Sequence, residues 1–330
     1  MQMALYDPDG GYFATGPLRS HSSGDFLTSP EVSPQFGATL ARYVEVEHRR
    51  LGAPDGFTVV EVGAGSGSLL EPLLGELSFT PRSLAVEVST AARESIRTRL
   101  PQVEVVCPRR LPARLHGVVI ANELVDNLPM AIAVRKGKDW TERWVGHEAG
   151  ELSLLEVPVR PEVAVWLDAY AGDTPEGGVV ECQIEASEWL AGWIDRVVSG
   201  SILVIDYGDT AEGLRNRRTE GTLRTYRSHH LGPHPLDEPG ATDLTADVNF
   251  SALLGLARDR GMECELLRQR ELLDRLGLGE RLQESRRREL VLARTGHWQD
   301  RLRTRSRVKE IETLFHPRGL GDFMVLSARR

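Results

Sequence analysis

The chain has 330 residues and, with 40 Lys and Arg against 48 Asp and Glu, a formal charge of −8, so no basic field is available for general nucleic-acid binding. The length suits a core of roughly 200 residues plus an insertion or second lobe. Cys107, Cys182 and Cys264 lack zinc spacing, no apolar run reaches the roughly 18 residues of a membrane span, and the N-terminus lacks a signal-peptide pattern; a cytoplasmic protein without a metal or membrane insertion is expected.

Near the start, Ser29, Pro30 and Glu31 form a helix start signal, with Ser29 as N-cap and Pro30 at the first helical position. Capping does not explain the preceding Gly24-Asp25-Phe26, which reads as a loop closing over a ligand. Phe57 to Val62 is a β-branched run that ends in an acid, Glu61, and alternate glycines, Gly63, Gly65 and Gly67. A buried strand whose end must bring backbone against a ligand needs this order, because a Cβ in the turn would hold the ligand off. A dinucleotide fingerprint requires its third glycine where Ser68 stands, so the spacing fits S-adenosylmethionine better than NAD. Glu61 has two readings of equal weight: a cofactor ligand, or an acid that orients the loop through backbone N–H groups.

Leu84 to Val88 reads as the next strand, and Glu87 stands 20 residues after Gly67, where a doubly wound sheet offers a carboxylate to ribose hydroxyls. Val103 to Val106 and Val118 to Ala121 follow as further strands, and the alternation with helical patterns predicts βαβ units and a mostly parallel sheet. Residues 131–159 alternate in a strand-like way, as a small antiparallel β-unit. Glu185 to Val198 reads as a helix, Ile202 to Ile205 as the fifth strand, and Gly208 to Ala246 as a long functional loop whose His229, His230 and His234 lack metal spacing. Phe250 to Arg260 resumes a helix, Glu263 to Leu267 and Phe323 to Ser327 close the sheet, and Arg281 to Arg307 is a solvated helical face. The resulting division is a cap over 1–50, a Rossmann-like core over 51–130 and 183–330 with loop 208–246, and an inserted β-rich lobe over 131–182.

Just past the fourth strand lie Asn122, Glu123 and Asp126. Ligands in open α/β sheets sit at such carboxyl ends. Methyl transfer is an in-line displacement, so the protein must align a nucleophile and manage its proton. Carboxylates suit a nitrogen nucleophile, and a guanidinium in particular needs carboxylates that grip it and draw its charge aside. Glu123 and Asp126 are the candidates, against the alternative of helix capping. Asp206, before Tyr207-Gly208, faces the same edge or forms a turn.

Taken together, the chain resembles the MidA family of S-adenosylmethionine-dependent methyltransferases, which includes the mitochondrial complex I assembly arginine methyltransferase and bacterial relatives. The resemblance rests on Ala4 to Pro8 with Gly11-Tyr12, Gly24 to Glu31, Glu61 to Gly67, Glu87-Val88-Ser89, and Asn122-Glu123 with Asp126 and Leu128-Pro129. It continues through Asp206-Tyr207-Gly208, Gly221 to Arg224, Asp243 to Val248 with Phe250, and Gly321 to Leu326. It implies a class I methyltransferase sheet with an added α+β lobe and S-adenosyl-L-methionine as cofactor, held by Glu61, Gly63, Gly65, Gly67 and Glu87 with Gly24 and Asp25. Asn122, Glu123 and Asp126 would line the catalytic site, and the substrate would be a partner protein, with arginine N-methylation the leading expectation and a noncatalytic assembly role the alternative. Self-association is left open. Two departures stand out: the helix that usually precedes the Ala4 block is missing or the start lies upstream, and Leu320 replaces a frequent methionine.

Overall fold

Strand β1 (Thr58–Val62) is buried at every position, as its β-branched composition requires of a central parallel strand. In the computed structural model, which describes residues 1–15, 28–148, 150–216, 219–227, 230–296 and 298–330, it anchors a seven-stranded sheet. The other strands reaching this sheet in the first half of the chain are β2 (Arg82–Val86), β3 (Glu104–Val106) and β4 (Leu115–Asn122). Next come four strands of a separate sheet, β5 (Ala131–Lys136), β6 (Asp139–Glu148), β7 (Glu151–Pro158) and β8 (Val179–Cys182). The chain returns to the main sheet with β9 (Val197–Asp206). Short ladders β10 (Gly208–Asp209), β11 (Arg224–Arg227), β12 (His230–Leu231), β13 (Asp243–Thr245) and β14 (Val248–Asn249) precede the closing β15 (Glu263–Arg268) and β16 (Met324–Arg329).

The main order is β15-β16-β9-β4-β1-β2-β3, with β16 antiparallel to both neighbours. Strand order reverses between β1 and β4, and the crevice outside the carboxyl ends at that switch point is where a doubly wound sheet binds its ligand. Side chains alternate across the sheet: Val59, Ile120 and Leu203 pack under the helix Pro34–Arg50, while Val60, Val119 and Val204 pack under the helices Ile184–Arg196 and Phe250–Asp259.

The antiparallel unit is larger than its alternation alone indicates. Strand β8 completes the order β7-β6-β5-β8, and the helix Pro161–Tyr170 lays Val163, Trp166 and Leu167 against Ala131, Ala133 and Val180. The long segment after β9 is not structureless: it holds the helix Ala211–Arg215 and the small sheet β12-β11-β13. Its path is fixed from outside, since the buried Glu181 carboxylate accepts the N–H groups of Thr222 at 2.6 Å and Leu223 at 3.2 Å. The arginine-rich segment forms two helices, Leu278–Thr295 and Trp298–Leu314, and among the described residues none is long and apolar enough to cross a membrane.

One capping expectation is corrected. Thr28, not Ser29, is the N-cap of the short helix Ser29–Val32, and Ser33 caps the following helix by accepting the Gln35 N–H. Ser29 and Glu31 are occupied elsewhere, in the site.

Candidate cofactor and acceptor site

A cavity of about 390 Å³ opens at the switch point, within the usual range for small-molecule sites. Its floor is the turn after β1. Gly63, Gly65 and Gly67 have φ of 73°, 49° and 79°, left-handed values that glycine adopts without strain. A Cβ on Gly63 would also stand 2.9 Å from Leu124 Cδ1. Two carboxylates brace this turn. Glu87, just past β2, accepts the Gly65 N–H at 2.9 Å with one oxygen and the Ser89 N–H at 2.8 Å with the other, while Glu31 receives the Ser66 hydroxyl at 2.5 Å. Thus Glu31, which capping alone accounts for in the sequence, is a loop brace.

At the end of β4 the chain turns through Glu123, a non-glycine residue with φ of 51°. Such backbone strain persists only where surrounding contacts enforce it, and it concentrates at functional sites. Here the contacts are explicit. The Glu123 N–H bonds to the Ile205 carbonyl at 2.8 Å, and the next three N–H groups, of Leu124, Val125 and Asp126, all donate to Asp206 Oδ2 at 3.2, 2.9 and 3.2 Å. Asp206 Oδ1 accepts the Tyr207 N–H. This fully buried residue is therefore the staple of the turn and does not line the cavity. Glu123 does line it: Oε1 accepts from the Ser29 N–H at 2.8 Å and Asn122 Nδ2 at 3.1 Å, and Oε2 has no partner among the described residues.

Asp126 lies behind the wall. It is buried, accepts hydrogen bonds from the Tyr207 hydroxyl and, at 2.6 Å, from the Thr245 hydroxyl, and is absent from the cavity lining, so the expected direct catalytic position is not where the fold puts it. Gly24 and Asp25, like His229, lie outside the described residues. Sequence reasoning missed Gln2, Tyr6 and Phe13 of the N-terminal segment and Trp189 and Trp193 of the helix before β9, which complete the lining. Only the Ala4 to Pro8 block, which contains Tyr6, gave a signal for any of them.

The electrostatics discriminate between ligands. Among the described residues the lining contains Glu61, Glu87 and Glu123 and no Lys, Arg or His. Burial pushes Glu61 well above the ordinary carboxylate range, with nearby Glu87 adding to it and the Leu70 N–H opposing; burial likewise raises Glu87 against the N–H bonds it accepts. Burial raises Glu123 to about 8, with the charge of Asp126 adding and the Ser29 N–H opposing. Glu61 Oε2 and Asn122 Oδ1 are buried with no hydrogen-bond partner among the described residues. The lining offers a pyrophosphate no cation among the described residues. A sulfonium nucleoside with an ammonium group fits: acceptors await its donors, carboxylates its positive charge, and the glycine turn its close approach.

Comparison with known proteins agrees. Residues 39–267 match the model of a family of S-adenosyl-L-methionine-dependent methyltransferases. The chain is 28% identical over 317 residues to the mitochondrial protein arginine methyltransferase NDUFAF7 of Xenopus tropicalis, covering 86% of this chain and 72% of the relative. It is 27% identical over 302 residues to the Caenorhabditis elegans homologue, covering 82% and 70%. A Burkholderia thailandensis protein crystallised with S-adenosyl-homocysteine superposes with a TM-score of 0.84 at 28% identity, covering all of this chain and 86% of that one. The expected cytoplasmic location is corrected by these relatives, which are named as mitochondrial; absence of a leader pattern was too weak a ground. The fold is a class I methyltransferase core with an added mixed lobe, the cofactor is S-adenosyl-L-methionine, and the chain belongs to the MidA/NDUFAF7-like family of S-adenosyl-L-methionine-dependent methyltransferases.

Proposed function

We propose that this protein transfers a methyl group to an arginine side-chain nitrogen of a partner protein. The observation that carries the reading is Glu123: a carboxylate on the cavity wall, in strained backbone, with one oxygen fixed and the other without a partner among the described residues. The cofactor supplies an electrophilic methyl on a sulfonium. What the protein must add is alignment of a nucleophile and handling of its charge.

A guanidinium is planar, cationic and poor in free electron density. Glu123 Oε2 can accept one of its N–H groups, hold the plane in place and draw positive charge toward the bonded nitrogen, leaving another nitrogen richer in electrons. The arriving cation also lowers the Glu123 pKa from about 8, so the carboxylate ionises as the acceptor binds. Asn122, bonded to Glu123 and with its own carbonyl oxygen unpartnered among the described residues, would accept a second N–H. Asp126 acts through others: by holding the Tyr207 and Thr245 hydroxyls it fixes the wall behind Glu123. Glu61 and the three glycines hold the cofactor, and Glu87 serves its ribose hydroxyls while keeping Gly65 in place. The names of the relatives support the choice of arginine.

Incubation of the purified protein with methyl-labelled S-adenosylmethionine and mitochondrial or bacterial lysate proteins tests the reading. Label should enter protein, and Glu123→Gln should slow transfer at least about 100-fold while leaving S-adenosylhomocysteine binding within a few-fold of wild type.

A further inference from the structure

The helix Ser29–Val32 has four residues, too few to hold its own shape, because a first helical turn fixes several backbone angles for a single hydrogen bond. Its place is set by what grips it. At its C-terminal end Val32 packs against the core, and the adjoining Ser33 hydroxyl donates to Glu310 Oε2 at 3.1 Å. At the other end Thr28 and Pro30 belong to the cavity lining. Besides the Glu123 contact, two side-chain bonds among the described residues hold this end. The Ser29 hydroxyl reaches the buried Gln269 Oε1 at 3.4 Å, beyond the usual range for an O–H donor, whereas Glu31 Oε1 receives the Ser66 hydroxyl at 2.5 Å, in the short range of bonds to a charged acceptor.

Ser66 is a firm anchor. Its neighbours in the glycine turn are pinned on both sides, the Gly65 N–H by the Glu87 carboxylate at 2.9 Å and the Gly67 N–H by the Ala64 carbonyl at 2.8 Å. Neither Ser66 nor Glu31 belongs to the cavity lining, so their bond lies outside the space for cofactor and acceptor. It joins the turn under the cofactor to the helix whose first N–H, that of Ser29, fixes one oxygen of Glu123. The path from Glu87 through Gly65, Ser66, Glu31 and Ser29 to Glu123 is continuous in chain and hydrogen bonds, and it links the carboxylate after β2 to the carboxylate after β4.

We propose that Glu31 and Ser66 are positioning residues: acting through the helix Ser29–Val32, their hydrogen bond lets the glycine turn set how Glu123 is held at the cavity wall. The effect on methyl transfer rests on the role given to Glu123 above, and the positioning itself does not. The Ser29 N–H favours the ionised form of Glu123, so a loosened helix leaves a carboxyl that ionises at higher pH. The other groups acting on Glu123 are Asn122 beside it, Asp126 in the turn and Asp206 at the end of β9, and changes at positions 31 and 66 leave all three in place. Glu31 also adds its charge to the field at Glu61. Loss of that charge would make a neighbouring carboxyl ionise at lower pH, the opposite sign.

Nuclear magnetic resonance of the full chain, isotope-labelled at the glutamate carboxyl carbon and saturated with S-adenosylhomocysteine, reads Glu123 directly, its signal identified by its loss in Glu123→Gln. In Ser66→Ala the titration midpoint of Glu123 should rise by about one pH unit, the size expected for a lost hydrogen bond to a charged group. Glu31→Ala should raise it too, less by the lost charge, and adding Ser66→Ala to Glu31→Ala should raise it no further, since both changes remove the same bond. Glu31→Gln, which keeps an oxygen for the Ser66 hydroxyl, should stay at or slightly below the wild-type midpoint. S-adenosylhomocysteine affinity should remain within about threefold of wild type in all four variants, and methyl transfer should slow at least about tenfold in those with alanine, since a small misplacement slows an in-line displacement steeply. An unchanged midpoint in Ser66→Ala, a further rise in the double variant, or a Glu31→Gln that behaves as Glu31→Ala would each overturn the proposal. A raised midpoint with undiminished transfer would uphold the positioning and remove Glu123 from the reaction.

Discussion

The Ser29 N–H donates to Glu123 Oε1 at 2.8 Å, tying the N-terminal cap of the site to the end of the fourth strand across 94 residues of chain. One Glu123 oxygen is thereby spent on position, and the other is left for the acceptor. Glu123→Gln keeps an oxygen for Ser29 but loses the negative charge. We expect kcat to fall by about 10² to 10⁴, the range for a group that manages a reacting proton or charge, with cofactor affinity nearly unchanged in calorimetric titration. A parallel loss of cofactor binding would move Glu123 into the cofactor site.

The pH dependence of stability has a definite sign. Glu123 titrates at about 8 in the fold and near 4.5 in an unfolded chain. Between those values the folded chain holds a proton that the unfolded chain has released, so the stabilisation present at low pH is lost as pH rises through the window. Glu61 and Glu87, also raised, add to the same trend. The wild-type Tm should fall from about pH 5 to about pH 8, and Glu123→Gln should reduce that fall. An identical slope in the variant would show that Glu123 is ionised throughout.

Asp206 is predicted to matter without touching substrate. Asp206→Ala leaves the N–H groups of Leu124, Val125 and Asp126 without their acceptor, and with buried donors costing about 1–3 kcal/mol each the loss of stability in denaturant titration should be at least about 3 kcal/mol. Residual folded protein should show kcat reduced more than cofactor affinity, since the turn that relaxes is the one presenting Glu123.

Gly63→Ala tests the cofactor floor. At φ of 73° an alanine is strained by about 1–2 kcal/mol, and its Cβ meets Leu124 Cδ1. S-adenosylhomocysteine affinity should drop at least about tenfold, which corresponds to 1.4 kcal/mol; unchanged affinity would place the ligand away from this turn.

Much of the core could be read from local pattern, because a buried parallel strand advertises itself as an apolar run and a glycine turn by its spacing. The place of Glu87 just past β2 was legible for the same reason, since the distance from a turn to the next strand end is set by the βαβ unit. Asp206 and Asp126 were not. Each is an acid beside a strand end in the sequence, and only the packing of β4 against β9 decides that one collects backbone N–H groups, that the other is buried and held by the Tyr207 and Thr245 hydroxyls, and that Glu123 alone of the three reaches the cavity. Ser29 and Glu31 looked like capping residues because capping is local, whereas their partners Glu123 and Ser66 are 94 and 35 positions away. Trp189 and Trp193 sit on a helix whose apolar stripe reads as ordinary core, and nothing local marks the part of that stripe facing the cavity.

The most direct measurement is acid hydrolysis of protein labelled by this enzyme with methyl-labelled S-adenosylmethionine, followed by separation of the amino acids. Label should co-migrate with methylated arginine and be missing when Glu123→Gln replaces the wild type. Label recovered on lysine, on a carboxyl group or only in small molecules would contradict the account.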